Sequence, residues 1–148
     1  MDLTDYAKRF IGIPYKWAGE HPAEGYDCSG FIQEVLSSKG LDPRGDQTAQ
    51  DLFTKFLDED GFVSPTEIKR NDLLFFGGET ITHIALAIDE LDMIEAGGGN
   101  SKTVNIATAI AQKAMIRVRP ISNRKDLKYV LRMPRRKGIY EAQINLDI

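Results

Sequence analysis

The apolar positions of this chain change their spacing near residue 72. Before that point they recur three and four residues apart, which is the period of amphipathic helices. Beyond it, short apolar runs alternate with turns that contain glycine or charged residues, which is typical of strands. The pattern predicts helices at 3–11, 28–39, 48–57 and, more weakly, 106–113, and strands at 73–76, 83–89, 92–96, 115–119 and 128–133.

Helices that precede a series of strands indicate an α+β domain with an antiparallel sheet rather than alternating βαβ units. A length of 148 residues corresponds to about one domain. We expect that domain to cover residues 1–134, with a C-terminal extension over 135–148, where the apolar positions have no clear period. Residues 62–70 are expected to be irregular, because Pro65 limits strand formation there.

The only cysteine, Cys28, begins the second predicted helix. Asp27 is a candidate N-cap, and Gly40 is a candidate stop signal. The free N–H groups and the positive end of the macrodipole at a helix start favour an anion, which suits a nucleophilic thiolate. A lone cysteine is more often a small buried hydrophobic residue, so the surrounding residues must decide between the two interpretations.

Two histidines are available as a base for this thiol. His21 lies in the loop before Cys28, whereas His83 opens a predicted strand. A cysteine nucleophile needs a base within hydrogen-bond reach, and the start of a central strand can face the N-terminus of a helix packed on the sheet. The face of His83 also carries Ala85 and Ala87. We expect these small side chains to let the Cys28 helix approach closely.

Glu95 is the candidate residue for orienting His83, and the hairpin between their two strands decides whether it can do so. A three-residue hairpin loop pairs Ala85 with Glu95, which then shares the face of His83 and lies diagonally beside it. A two-residue loop inverts the parity and leaves Glu95 as an exposed strand residue. In the first register, the carboxylate would fix the tautomer of His83 and stabilise its imidazolium form.

These candidates belong to a series of motifs that resembles the NlpC/P60 family of cell-wall peptidases. The resemblance covers roughly residues 3–119, with the motifs in the family's order and at its usual spacings. The motifs are GIPYKWAG at 12–19, GYDCSGF at 25–31, TAQ at 48–50, DLLFF at 72–76, THIALAI at 82–88 and MIEA at 93–96.

The resemblance implies a papain-like fold in which N-terminal helices pack on a central antiparallel sheet. It implies a cysteine endopeptidase that cleaves peptidoglycan stem peptides, typically between a γ-D-glutamyl residue and the following diamino acid. In that family pattern Cys28 is the nucleophile, His83 is the general base and Glu95 occupies the third catalytic position. The family usually has His, Asn or Gln at this third position, so Glu95 is a departure.

Further site residues come from the segment around Cys28. The resemblance implies that Tyr15 places its hydroxyl near the thiol, and that Asp27 and Ser29 help to bind the N-terminal side of the substrate. Trp17 is a further substrate-binding candidate, because large aromatic residues in a Gly/Pro loop usually form a lid or line a cleft.

Two other functions stay open from the sequence. The same fold could act as an amidase or acyltransferase on another substrate. Alternatively, the chain could be a non-catalytic structural or binding module, for instance within a phage tail. A second departure from the family pattern, Asn71 in place of the usual Gly before Asp72, does not decide between these functions.

Charge is distributed unevenly along the chain. Residues 1–112 carry 9 basic and 19 acidic residues, whereas residues 113–148 carry 10 and 3. The basic segment is either a solvated face that balances the acidic part or an anion-binding surface for a cell-wall polymer or a virion partner. No zinc pattern or RNA-binding motif accompanies it, so nucleic acid is a weaker candidate. We expect no cofactor and no metal.

The N-terminal sequence MDLTDYAKRF is amphipathic and acidic. It lacks a basic region followed by an apolar core, so we expect no signal peptide. No apolar run approaches the roughly 18 residues that a membrane span requires. We therefore expect synthesis in the cytoplasm and action at the cell wall, after delivery by a phage particle or export by another route.

Overall fold

Helices precede strands in the computed structural model, which describes residues 1–21, 23–43, 45–57 and 61–132. The predicted C-terminal extension and the last residues of the domain therefore lie outside the described residues. The helices are α1 (Leu3–Lys8), α2 (Cys28–Ser37), α3 (Ala49–Leu57) and α4 (Ile106–Gln112), and the strands are β1 (Glu20–His21), β2 (Gly25–Tyr26), β3 (Phe62–Val63), β4 (Asp72–Gly77), β5 (Ile81–Ala87), β6 (Asp92–Gly97), β7 (Met115–Pro120) and β8 (Leu127–Arg132).

Six strands form one antiparallel sheet in the order β3-β8-β4-β5-β6-β7, and β1 pairs with β2 in a small hairpin before α2. The central strands β4 and β5 are apolar almost throughout, because both of their faces are covered. The predicted α+β class and the antiparallel sheet are confirmed.

The two faces of the sheet have separate apolar clusters. One cluster packs α1, α2 and α3 on Leu73, Phe75, Ile84 and Leu86, and Phe31 of α2 is fully buried in it. Replacing a side chain of this kind with alanine costs about 3–5 kcal/mol, since the cavity adds to the lost burial. The other face forms a smaller cluster from Ile68, Leu74, Phe76, Ala85, Ala87, Met93, Ile121 and Val130.

The expectation that the Cys28 helix packs over Ala85 and Ala87 is therefore wrong. Ile84 and Leu86, which point to the opposite side of β5, contact the helical layer, whereas the two alanines lie in the other cluster. The physical reason is that the larger side chains bury more apolar surface against the helices. His83 must reach Cys28 in another way, described below.

Three predicted segments differ in detail. α1 ends at Lys8, and residues beyond it continue only as tight turns, with Phe10 N–H donating to the Ala7 carbonyl. β5 begins at Ile81, so His83 is its third residue rather than its first. The segment expected to be irregular contains the short edge strand β3 and a 3₁₀ turn over Pro65–Glu67, in which Pro65 takes the first position.

Asn71, which departs from the family pattern, has a positive φ of 75°. Asparagine tolerates this left-handed region better than most residues with a side chain. Its Oδ1 accepts hydrogen bonds from the N–H and the hydroxyl of Thr4, at 3.0 and 2.6 Å. Asn71 therefore adopts the left-handed backbone conformation that glycine adopts easily, and its side chain also connects α1 to the sheet.

Across the part of the chain that the structure describes, the helices are too short and too polar for any of them to cross a bilayer.

Candidate active site

The start of α2 holds Cys28 at the edge of a cleft. Asp27 caps the helix, and its Oδ1 accepts from the Gly30 N–H at 2.7 Å and from the Ser29 hydroxyl at 3.3 Å. The predicted N-cap is confirmed. The first-turn N–H groups have no intrahelical acceptor, and Asp27 does not occupy those of Cys28 and Ser29. These two donors therefore face the end of the helix where the thiol lies.

His83 interacts with both Cys28 and Glu95. Its Nε2 lies 2.7 Å from Glu95 Oε1, and Cys28 lies close enough to raise the pKa of the imidazole. The structure thus brings Cys28, His83 and Glu95 together in one contiguous chain of contacts.

The register of the β5–β6 hairpin explains how Glu95 reaches His83. Leu86 pairs with Ile94, and the Ile88 N–H donates to the Asp92 carbonyl at 2.9 Å, which closes a three-residue loop. This is the first of the two registers considered from the sequence. It places Glu95 diagonally beside His83, so the predicted geometry is confirmed.

A β-bulge lies immediately before His83. Phe76 pairs with His83, but Gly77 pairs with Ile81, so Thr82 is the extra residue of β5. Bulges bend a strand and redirect the side chains next to them. His83 meets the start of α2 at this irregular end of β5, away from Ala85. The Phe76 ring packs against the imidazole, with the centroids 5.6 Å apart.

Glu95 is a buried carboxylate, and each of its two oxygens contacts basic side chains. Only 1% of its side chain is exposed. Its second oxygen, Oε2, lies 3.2 Å from Arg119 Nη1 and 3.4 Å from Arg117 Nε. A Cβ at Gly97, two residues further along β6, would overlap this carboxylate. The carboxylate therefore fits only because residue 97 is glycine.

The charges of this buried pair stabilise each other. Burial alone would lower the pKa of His83, but hydrogen bonds to Cys28 and Glu95 and their negative charges outweigh it and raise the pKa to about 9. Burial would raise the pKa of Glu95, but His83, Arg119 and Arg117 together lower it below its ordinary value. Near neutral pH the pair is therefore an imidazolium and a carboxylate.

Tyr15 closes one side of the thiol. It is only 6% exposed, and Gly99 lies so close to its ring that a Cβ there would overlap it. Burial, followed by the negative charges of Cys28 and Asp27, raises the pKa of its phenol. Tyr15 therefore keeps its proton and can donate a hydrogen bond.

A cleft of about 270 Å³ opens over these residues. Trp17 lines it and is 49% exposed, which suits contact with a ligand. Asp27 and Ser29 do not line this cleft, since both are engaged in the helix cap, and their role in substrate binding stays a prediction. The lining residues are Tyr15, Trp17, Cys28, Thr82, His83, Glu95, Ala96, Gly97, Gly98, Gly99, Asn100, Ser101, Arg119 and Arg124.

The sequence did not single out the arginines of this site. Arg117, Arg119 and Arg124 were grouped with the basic C-terminal segment, but the structure places them around Glu95 and the cleft. Arg132 of the same segment is paired with the buried Asp72 at 2.9 Å. The spacing of two residues between Arg117 and Arg119 predicts that they share one face of a strand. Only the register of β6 and β7 shows that this face is the one that carries Glu95.

In the described ranges, the His, Cys, Asp and Glu side chains form no group of three or more that could hold a metal ion.

Comparison with known proteins agrees with this geometry. Residues 12–120 match the model of the NlpC/P60 family. The chain belongs to the NlpC/P60 family. Its architecture of helices packed on an antiparallel sheet is the papain-like fold of this family.

Two relatives of this NlpC/P60 chain are named as peptidases. It is 31% identical to a γ-D-glutamyl-L-lysine dipeptidyl-peptidase of Bacillus cereus over 99 residues, which cover 64% of this chain and 28% of the relative. It is 32% identical to the peptidoglycan endopeptidase RipB of Mycobacterium tuberculosis, over 62% of this chain and 41% of the relative. The chain thus spans less than half the length of these relatives.

One solved structure with the same fold shows that NlpC/P60 domains also occur without catalysis. RipD of Mycobacterium tuberculosis, described as a non-catalytic NlpC/P60 domain adapted to peptidoglycan binding, aligns with a TM-score of 0.64. The alignment covers 88% of this chain and 94% of RipD at 22% identity. At that identity the likeness concerns the fold alone, so activity must be argued from the site.

Proposed function

We propose that this NlpC/P60 domain is a cysteine endopeptidase that hydrolyses an amide bond in peptidoglycan stem peptides. The observation that carries the proposal is the imidazole of His83, which is hydrogen-bonded to Glu95 and shares one cleft with Cys28, whose proximity raises its pKa. A nucleophile, a base and an orienting group in contact are the minimum set for thiol catalysis.

The reaction begins with the Cys28 thiolate attacking the carbonyl carbon of the scissile amide. His83, as imidazolium, then protonates the departing amine, so that a thioester to Cys28 remains and the imidazole becomes neutral. In the second half, neutral His83 takes a proton from water, which attacks the thioester; the carboxylic acid product leaves, and the Cys28 thiolate and the His83 imidazolium are restored. Glu95 holds the ring in the tautomer and orientation that both steps need.

The negative oxygen of the tetrahedral intermediates needs donors that are already in place. The N–H groups of Cys28 and Ser29 at the start of α2 supply two such donors, helped by the positive end of the helix dipole. The protonated Tyr15 hydroxyl, held beside the thiol, is the third. Each oxyanion donor of this type contributes about 10²–10³-fold to the rate of comparable hydrolases.

The bond that we propose for cleavage joins a γ-D-glutamyl residue to the following diamino acid. The support comes from the relative in Bacillus cereus, which is named for hydrolysis at γ-D-glutamyl-L-lysine. Mass spectrometry of fragments released from purified peptidoglycan tests both the activity and the bond. We expect new peptides with an N-terminal diamino acid, and fragments cut only at another bond would contradict this assignment.

Replacing Glu95 with glutamine tests the orienting role. The amide keeps the shape but removes the negative charge, so we expect kcat to fall by about 100-fold, the scale of a misplaced catalytic group. The pKa of His83 should also fall from its value of about 9, because Glu95 raises it. Activity needs the imidazolium as acid, so the alkaline limb of the pH–rate profile should move to lower pH.

Asp72→Asn is the matched control for this change. Asp72 is equally buried and also pairs with an arginine, Arg132, but it lies at the far end of β4 from the site. This variant should lose stability while its pH–rate profile stays in place. An unchanged alkaline limb in Glu95→Gln would show that another group orients His83.

A further inference from the structure

Two guanidinium groups in the cleft are not used by the proposed reaction. Arg119 lies on β7, and Arg124 follows the 3₁₀ turn over Ile121–Asn123; both line the cleft together with Cys28 and His83. Their side chains are 29% and 28% exposed. They are therefore held by the protein and still open to a ligand.

Arg119 does more than neutralise Glu95. Its Nη1 contacts Glu95 Oε2, while its Nε and Nη2 have no hydrogen-bond acceptor among the described residues. Arg117 reaches the same oxygen but does not line the cleft, and it also donates to the Lys113 carbonyl at 3.3 Å. Glu95 thus has His83 and Arg117 as partners in addition to Arg119 Nη1. The Nε and Nη2 groups of Arg119 stay available to a substrate.

Arg124 is fixed beside the catalytic histidine by three contacts. Its Nε and Nη2 bind both oxygens of Asp126 at 2.9 and 2.7 Å. Its guanidinium carbon lies 4.9 Å from the centroid of the Phe76 ring, and that ring packs against His83. Within the described part of the chain, its Nη1 has no acceptor. Arg124 therefore presents a free donor at a defined position.

Guanidinium groups outnumber carboxylates on the β7 side of the cleft. There, the guanidinium groups of Arg117, Arg119 and Arg124 stand against the carboxylates of Glu95 and Asp126. A partly enclosed site with this balance favours an anion, and guanidinium donors are matched in geometry to a carboxylate.

We propose that Arg119 and Arg124 bind a carboxylate on the leaving half of the substrate, and so select a leaving amino acid that carries one. This inference rests on the proposed function. Because His83 protonates the departing amine, the leaving half lies beside His83, where both guanidinium groups are fixed. A diamino acid offers its α-carboxylate when it ends the peptide, and diaminopimelate also offers a carboxylate on its side chain.

Four synthetic tripeptides separate these two sources. All begin with L-alanyl-γ-D-glutamyl; two end in L-lysine, as the free acid or the carboxamide, and two end in diaminopimelate with its side-chain carboxylate free or amidated. We expect the wild-type protein to prefer the acid over the amide in at least one pair by about 10- to 100-fold in kcat/KM, the range for a hydrogen bond to a charged group. The pair that shows the preference identifies the carboxylate.

Arg119→Gln and Arg124→Gln should reduce this acid-to-amide preference to near one, mainly through KM. Arg117→Gln is the matched control, because it also removes a guanidinium from Glu95 but from outside the cleft. It should keep the preference even where the overall rate falls. Equal cleavage of acid and amide by the wild type, or an equal loss of preference in Arg117→Gln, would overturn the carboxylate site.

Binding to the Cys28→Ala protein, measured by calorimetry with the same peptides, separates this inference from the proposed reaction. If Cys28→Ala binds acids more tightly than amides while the wild type cleaves none of them, the carboxylate site stands and the hydrolase proposal fails. If the wild type cleaves the peptides and neither cleavage nor binding distinguishes acid from amide, the hydrolase stands and the carboxylate site is refuted.

Discussion

Replacing Cys28 with alanine should abolish the release of peptides from purified peptidoglycan, with a loss of about 10⁴-fold or more. In the proposed reaction the Cys28 thiolate forms the bond to the scissile carbon, and the chain has no second cysteine. The fold should survive, because the half-buried Cys28 contributes little apolar surface compared with Phe31 in the same helix. Fragment release measured by mass spectrometry, together with the thermal unfolding temperature, checks both statements.

Cys28→Ser is the matched control, because it keeps a hydroxyl at the position of the thiol. We expect nearly the same loss, since a serine hydroxyl ionises far less readily than a thiol. Activity in either variant above about 1% of the wild type would refute Cys28 as the nucleophile.

Cys28→Ala should also lower the pKa of His83. The thiol raises this pKa to about 9 jointly with Glu95, against the effect of burial, so its removal leaves Glu95 alone to oppose burial. The chain has only two histidines, so NMR titration of the ring protons can follow His83 directly, with His21 as an internal reference. An unchanged titration would mean that the two side chains do not interact in solution.

Replacing His83 with alanine has the second largest expected effect. Loss of the general base and acid should lower kcat by about 10³-fold or more, because proton transfer by a positioned side chain contributes 10²–10⁴-fold and the thiolate also loses its partner. His21→Ala is the matched control, since His21 is exposed on β1 and does not line the cleft. It should retain full activity in the same peptidoglycan assay.

The stability of the His83→Ala protein should depend on pH differently from that of the wild type. A pKa raised from 6.5 to about 9 in the folded state stabilises the wild type fully below pH 6.5, and this stabilisation disappears as the pH rises to about 9. The wild type should therefore lose stability across that window relative to His83→Ala. Denaturant titrations at several pH values measure the difference, and parallel curves would contradict a raised pKa.

Much of the site could be predicted from the sequence, because its main features depend on residues that are close together in the chain. The cap by Asp27 and the position of Cys28 in the first turn follow from a short motif at a helix start. The relation of Glu95 to His83 follows from the parity of a hairpin with a short loop. Such features depend on a few neighbouring residues, and their geometry leaves a small number of alternatives.

The parts that were missed depend on long-range pairing. Ile84 and Ala85 both suit a buried strand, and only packing decided that the larger residue faces the helices. Arg119 meets Glu95 because β7 pairs with β6 in one register, 24 residues apart in the chain. The bulge at Thr82 has no clear signature in the residues around it. No local pattern carries this information.

The sequence by itself determined the order of elements, the family and the three residues at the centre of the proposed reaction, because periodicity and motif spacing are properties of neighbouring residues. The tertiary structure decided which face of the sheet receives the helices, how His83 reaches the thiol, and that part of the basic segment surrounds the cleft. These depend on strand register and on the competition between side chains for burial, which are settled only when the whole chain packs together.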